Sequence, residues 1–141
     1  MAVDTEKLMN DMLAAWNSHD VAKSLFFYTD DCVYEDLGVG IVKRGKREIG
    51  DFFQEFFSGF PDVAFEPKGL VFSPVRSSLE WVMTGTHSCD LPRLPATGKT
   101  ISVRGVSVVE FKGEKISRHS DYYDGATLWR QLGVQPRAPQ G

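Results

Sequence analysis

The sequence predicts an α+β fold: helices packed on one face of a strongly bent, mixed or antiparallel sheet, with three helices near the N-terminus helping to enclose a pocket. Three observations predict it. Apolar residues recur at helical spacing as far as Phe60. Beyond residue 62 the pattern changes to a period of two, in runs long enough for extended strands. Glycines interrupt those runs at Gly85 and Gly105, and glycine in a strand marks bulges and tight curvature. Helices first and strands afterwards is the order of an α+β meander. A bent sheet closed by helices on its concave side makes a cone with a mouth.

The first helix is expected over 5–17, with Leu8, Met12, Leu13 and Trp16 on one face and Asp4 or Thr5 as its cap. Asn17-Ser18-His19-Asp20 breaks it, and Asp20 can cap a second short helix reaching about Phe27. Residues 32–36 alternate as a short strand should. The basic run from Lys43 to Arg47 reads as a solvated loop leading into the third helix, 46–58. That helix carries a broad stripe of Ile49, Phe52, Phe53, Phe56, Phe57 and Phe60, and Pro61 ends it. Strands follow over 62–72, 76–88, 99–112 and 115–123, with a tight hairpin turn at Lys112-Gly113-Glu114. A last helix is expected over 125–132, capped by Asp124. Residues 1–133 form one domain on this reading, and residues 134–141, with two prolines, a flexible tail.

Composition narrows the function. The chain has 141 residues, 42% hydrophobic and 25% charged, with a net charge of −3. Nucleic-acid binding needs a basic surplus, so neither a nucleic acid nor an anionic membrane is an expected partner. No apolar run approaches a membrane span. Cys32 and Cys89 form no metal spacing and no Cys-x-x-Cys pair; without an export signal they read as reduced thiols of a cytoplasmic protein, although one disulfide between them stays open. Aromatic residues reach 12%, which suits an aromatic core or a pocket for a flat apolar ligand. There is no glycine-rich phosphate loop, zinc-protease motif or nucleophile elbow, and the three histidines form no metal set. Neither a cofactor nor a metal is expected, which leaves proton transfer.

The densest reactive segment is Arg118–Asp124. Side chains alternate along a strand, so His119, Asp121 and Tyr123 share one face. A histidine, a carboxylic acid and a phenol on one face suit proton transfer, and an apolar pocket would push the Asp121 pKa upward. The competing reading is the solvent face of an edge strand. Trp81 shares a face with Met83 and Gly85, as pocket wall or plain core. Ser107 shares parity with Gly105 and Val109, facing a cavity or bonding locally. Tyr34 and Glu35 point oppositely, so at most one faces inward. Asp121 and His119 are thus the candidate catalytic pair, with Tyr123, Trp81, Ser107, Tyr34 and Phe53 as candidate substrate contacts.

Several segments, in order, resemble a known family. They are Trp16-Asn17-Ser18-His19-Asp20, Phe60-Pro61-Asp62, Thr84-Gly85-Thr86-His87, Leu94-Pro95-Ala96-Thr97-Gly98-Lys99, Gly113-Glu114-Lys115-Ile116 with His119, Asp121 and Asp124, and Gln131-Leu132-Gly133. Together, over about residues 5–133, they resemble the SnoaL-like polyketide cyclases of the nuclear-transport-factor-2-like superfamily. The resemblance implies a cone-shaped fold, a homodimer packed through the sheet, and cofactor-independent aldol-type ring closure or isomerisation of a polyketide-like molecule. It implies Asp121 as general acid/base, with His119 beside it. Where characterised cyclases carry an assisting histidine on the preceding strand, this chain has Ser107. The last strand also resembles that of limonene-epoxide hydrolases, but Thr84-Gly85-Thr86 stands where their Arg-x-Asp pair would lie. Epoxide hydrolysis and non-catalytic binding of an apolar small molecule are the two alternatives.

Overall fold

The structure, a computed structural model, describes residues 3–135. Residues 136–141 of the expected tail lie outside that range. Three helices come first: α1 (Thr5–Asn17), α2 (Val21–Leu25) and α3 (Gly45–Gly59). Between α2 and α3 lie β1 (Tyr28–Asp36) and β2 (Ile41–Arg44). The long strands are β3 (Ala64–Phe72), β4 (Arg76–Thr86), β5 (Thr100–Lys112) and β6 (Lys115–Tyr123), and α4 (Gly125–Leu132) closes the described chain. Capping follows the sequence reading. Asp4, Asp20 and Asp124 each accept a backbone N–H in the first turn of α1, α2 and α4.

Two expectations around β1 are corrected. The second helix stops at Leu25, and β1 begins at Tyr28 instead of 32. The basic run is not a loop: Lys43 and Arg44 end β2, and Gly45 starts α3. Charged residues occupy β2 because it is an edge strand whose burial alternates and never becomes complete. Gly45, at φ +78°, turns the chain from strand into helix.

The six strands form one curved, unclosed sheet in the order β2-β1-β6-β5-β4-β3. Every neighbouring pair is antiparallel except β1–β6, which is parallel. Pairing of β4 with β5 runs unbroken from Arg76↔Glu110 to Thr86↔Thr100, so Gly85 and Gly105 mark no bulge. The register shifts fall elsewhere, between Tyr28 and Val33, between Pro67 and Gly69 and between Glu110 and Phe111. The helices pack across one face, with α3 on β1, α1 on β3 and α4 on β5. Met9, Met12, Ile49, Tyr28, Leu79 and Ile116 are fully buried between the layers. Cys32 is buried in β1 and Cys89 is exposed after β4; both are free thiols.

Candidate active site

Strand register assembles the site. Parallel pairing of β1 with β6 sets Tyr34 beside His119 and Asp36 beside Asp121. Antiparallel pairing of β5 with β6 sets Ser107 beside Asp121 and Gly105 beside Tyr123. On β4, Trp81 pairs with Gly105. A Cβ on Gly105 would run into the Trp81 indole. That is the need for glycine here: a bare backbone on which the indole lies flat.

Asp121 is 6% exposed and is held by three donors. Ser107 Oγ–H donates to Oδ1 at 2.5 Å and His119 Nε2–H to the same oxygen at 2.6 Å. The Tyr34 hydroxyl donates to Oδ2. A carboxylate offers roughly four acceptor sites, so one on Oδ2 remains. Each donor is itself supported. Trp81 Nε1–H donates to Ser107 Oγ at 2.8 Å. The Tyr28 hydroxyl meets His119 Nδ1 at 2.7 Å. The Trp16 indole stacks on the His119 ring, centroids 4.9 Å apart and 17° from parallel.

Burial alone would push the Asp121 carboxyl up, but His119, Ser107 and Tyr34 outweigh it and hold it below its ordinary 3.8. The upward shift expected from the sequence is therefore reversed: the donor cluster, not the apolar wall, decides. The same carboxylate, with burial as the larger cause, pushes the Tyr34 and Tyr28 hydroxyls well above 10.0, so both stay protonated.

Asp121 opens onto a cavity of about 380 Å³. Its walls are mainly aromatic and aliphatic: Phe52, Phe53, Phe56 and Phe57 from α3, Trp81 from β4, Trp129 from α4. Lys43, Glu55 and Leu91 also line it. Of the residues picked from sequence, Asp121, Tyr34, Tyr123, Trp81 and Phe53 line this cavity. His119 and Ser107 are completely buried and do not reach it; they stand behind Asp121 as its donors. For Ser107, of the two readings the sequence left open, the local hydrogen bond is the one found.

The sequence reading missed Asp36. It too lines the cavity, 8% exposed, at the end of β1. Its Oδ1 accepts from Val39 N at 3.1 Å and its Oδ2 from the Tyr123 hydroxyl at 2.9 Å. Burial pushes its carboxyl up to about 6. The signal was available, because Asp36 is two residues beyond Tyr34 and so shares its face. Tyr28 gave no such signal, lying where a helix was expected to end.

The model for the family described as SnoaL-like polyketide cyclase matches residues 6–132. No curated protein matches the sequence. Among solved structures, a candidate polyketide cyclase from Xanthomonas campestris pv. campestris superposes with a TM-score of 0.82 at 20% identity, over 90% of this chain and 95% of that one. A candidate SnoaL-like polyketide cyclase from Jannaschia sp. CCS1 gives 0.82 at 11% identity, over 93% and 92%. A Catenulispora acidiphila protein with a ketosteroid isomerase-like fold, solved in complex with trimethylamine, gives 0.79 at 18%, over 94% and 97%. At these identities the neighbours establish the fold. No helix among the described residues is long and apolar enough to cross a membrane. With the family model spanning nearly the whole described chain, the protein belongs to the SnoaL-like polyketide cyclases.

Proposed function

We infer that this protein catalyses a cofactor-independent, intramolecular aldol-type ring closure of a polyketide-like small molecule, with Asp121 as the base. One observation carries the reading: an ionised carboxylate with a free acceptor site faces an apolar, aromatic-walled cavity. Such a group removes a proton from carbon α to a carbonyl. The cavity holds the resulting enolate against a second carbonyl of the same molecule, and positioning of this kind contributes up to about 7–11 kcal/mol to the barrier. His119 and Ser107 orient Asp121 and keep it ionised. The absence of the charged pair at Thr84–Thr86 disfavours the epoxide-hydrolase alternative.

An aryl methyl ketone, 2-acetylnaphthalene, tests proton removal without knowledge of the natural substrate. In heavy water the wild type should exchange the methyl hydrogens for deuterium, read by proton NMR, and Asp121→Asn should lose at least about 100-fold of that rate. Binding without exchange in the wild type supports a non-catalytic binding protein and refutes the catalytic reading.

A cytoplasmic homodimer fits the same reading. The outer sheet face exposes Val71 and Tyr122, apolar surface of the kind that a second copy covers. The free thiols Cys32 and Cys89 suit a reducing compartment. Sedimentation measurements decide between monomer and dimer.

A further inference from the structure

The aldol step leaves one requirement unmet. Asp121, held low by its donors, is a weak base, and a weak base removes an α-proton only if charge on the carbonyl oxygen is neutralised as it develops. The donors already described cannot do this, since Ser107, His119 and Tyr34 are all turned toward Asp121.

Asp36 stands beside Asp121 across the β1–β6 pairing, and neighbouring strands lie roughly 4.8 Å apart. Both carboxyls line the same cavity. Asp36 is also held in place. It opens the turn Asp36–Gly40, whose Gly40 N–H returns to the Asp36 carbonyl at 2.9 Å. A Cβ on Gly38 would overlap the Tyr123 ring, and one on Gly125 would overlap the Gly38 carbonyl. Two glycines thus let the turn, the phenol and the start of α4 close on one another. An Asp that only capped a turn would sit in water, whereas this one is buried, bonded to the half-buried Tyr123 phenol, and open to the cavity.

We propose that Asp36 is a second catalytic carboxyl, which in its protonated form donates to the ketone oxygen of a planar, mostly apolar substrate while Asp121 takes the α-proton. The step balances. Asp121 removes a proton from carbon α to one carbonyl; the electron pair left behind forms the enol C=C bond, the π pair of that carbonyl moves onto its oxygen, and Asp36 transfers its proton there. The enol C=C pair then forms the new C–C bond to the second carbonyl carbon, whose π pair moves onto its oxygen and takes the proton from Asp121, giving the alcohol. The enol O–H returns its proton to Asp36 as the first carbonyl re-forms, so both carboxyls are restored. Two carboxyls with environments that drive their acidities apart divide the roles of acid and base.

The titratable groups sharing the cavity with Asp36 are Tyr34 on its own strand, Asp121 and Tyr123 on β6, Lys43 on β2 and Glu55 on α3, with His119 behind Asp121. Burial raises Asp36 and the Asp121 charge adds to it, while the Tyr123 hydroxyl and the Val39 amide oppose. At about 6, the acid form of Asp36 persists to near-neutral pH.

The proposal rests on the reading that a ketone occupies this cavity, and binding separates its fate from that of proton removal. Quenching of tryptophan fluorescence reports 2-acetylnaphthalene binding, since Trp16, Trp81 and Trp129 all line the cavity. 2-Ethylnaphthalene is the control of similar shape without the oxygen. Wild type should bind the ketone about tenfold more tightly below pH 6 than well above it, and the hydrocarbon equally at both. Asp36→Asn should abolish the dependence, and Asp121→Asn should keep it. Tyr123→Phe removes a donor to the ionised form, so the break should move to higher pH. Ketone binding that ignores pH overturns the proposal, as does dependence that survives in Asp36→Asn or is shared by the hydrocarbon. If pH-dependent binding is found and wild type exchanges no deuterium, the catalytic reading of Asp121 fails while Asp36 stands as a ketone-binding acid.

Discussion

Ser107→Ala probes the cluster behind the cavity without touching the cavity wall. Ser107 is fully buried and makes two bonds at once: its hydroxyl donates to the Asp121 carboxylate at 2.5 Å and accepts from the Trp81 indole at 2.8 Å. The first is a bond to a charged group, worth about 1.5–3 kcal/mol. Loss of the second leaves the indole N–H buried without a partner, at a cost of about 1–3 kcal/mol. The bonds share one atom, so their costs do not simply add, and about 2–4 kcal/mol is expected. For a chain of 141 residues that is a fall in Tm of roughly 6–14 °C. The loss has a pH signature. Asp121 is more acidic folded than unfolded, so its contribution is complete above its unfolded pKa and disappears as pH falls through the lower folded value. Removing one of its donors should cost most near neutrality and less in acid. Urea unfolding of wild type and variant at neutral and acid pH, monitored by circular dichroism, measures both. A loss below about 0.5 kcal/mol, the range of ordinary surface substitutions, would refute the argument that Ser107 supports Asp121. So would a loss of the same size at every pH.

Other consequences follow from the same geometry. Asp36→Asn should stabilise the fold above pH 6, because burial holds the native carboxyl at about 6 against an ordinary 3.8. That gap is worth at most about 3 kcal/mol, and the advantage should vanish below the unfolded pKa, where both states are protonated. Thermal melts across that range check it; an Asn variant less stable than wild type at neutral pH contradicts the burial argument. Gly105→Ala should cost about 1–3 kcal/mol by forcing the Trp81 indole off β5, with an altered near-ultraviolet circular dichroism spectrum. Stability and spectrum both unchanged would show that the indole has room. Phe53→Ala should enlarge the cavity at a cost of about 3–5 kcal/mol, since this ring is 5% exposed and meets Trp16, Tyr28 and Tyr34 edge-on; denaturant unfolding reads it.

Much of the fold was legible because local patterns and tertiary packing agree. The 3- and 4-residue spacing of α1 and α3, the aspartate caps of α1, α2 and α4, and the four long strands β3 to β6 all survive in the structure, with burial alternating cleanly along β4. The errors gather around β1 and β2. There Phe26, Phe27 and Tyr28 continue an apolar run with no punctuation, and Lys43 and Arg44 carry charge on an edge strand that needs little burial. Gly105 was noticed for the wrong reason: it serves the Trp81 indole, an effect that depends on a residue 24 positions away in a neighbouring strand.

Periods and motifs within short stretches were enough for the α+β order, the family, and the shared face of His119, Asp121 and Tyr123. The character of Asp121 comes from contacts between distant parts of the chain. Its acidity depends on Tyr34, 87 residues away, on Ser107, 14 away, and on the parallel β1–β6 register that brings Asp36 alongside. A pKa reflects every charge and donor within a few ångströms, whichever part of the chain supplies them. A pattern read along one strand could therefore locate the carboxylate but not tell whether burial or its hydrogen-bond donors would govern it.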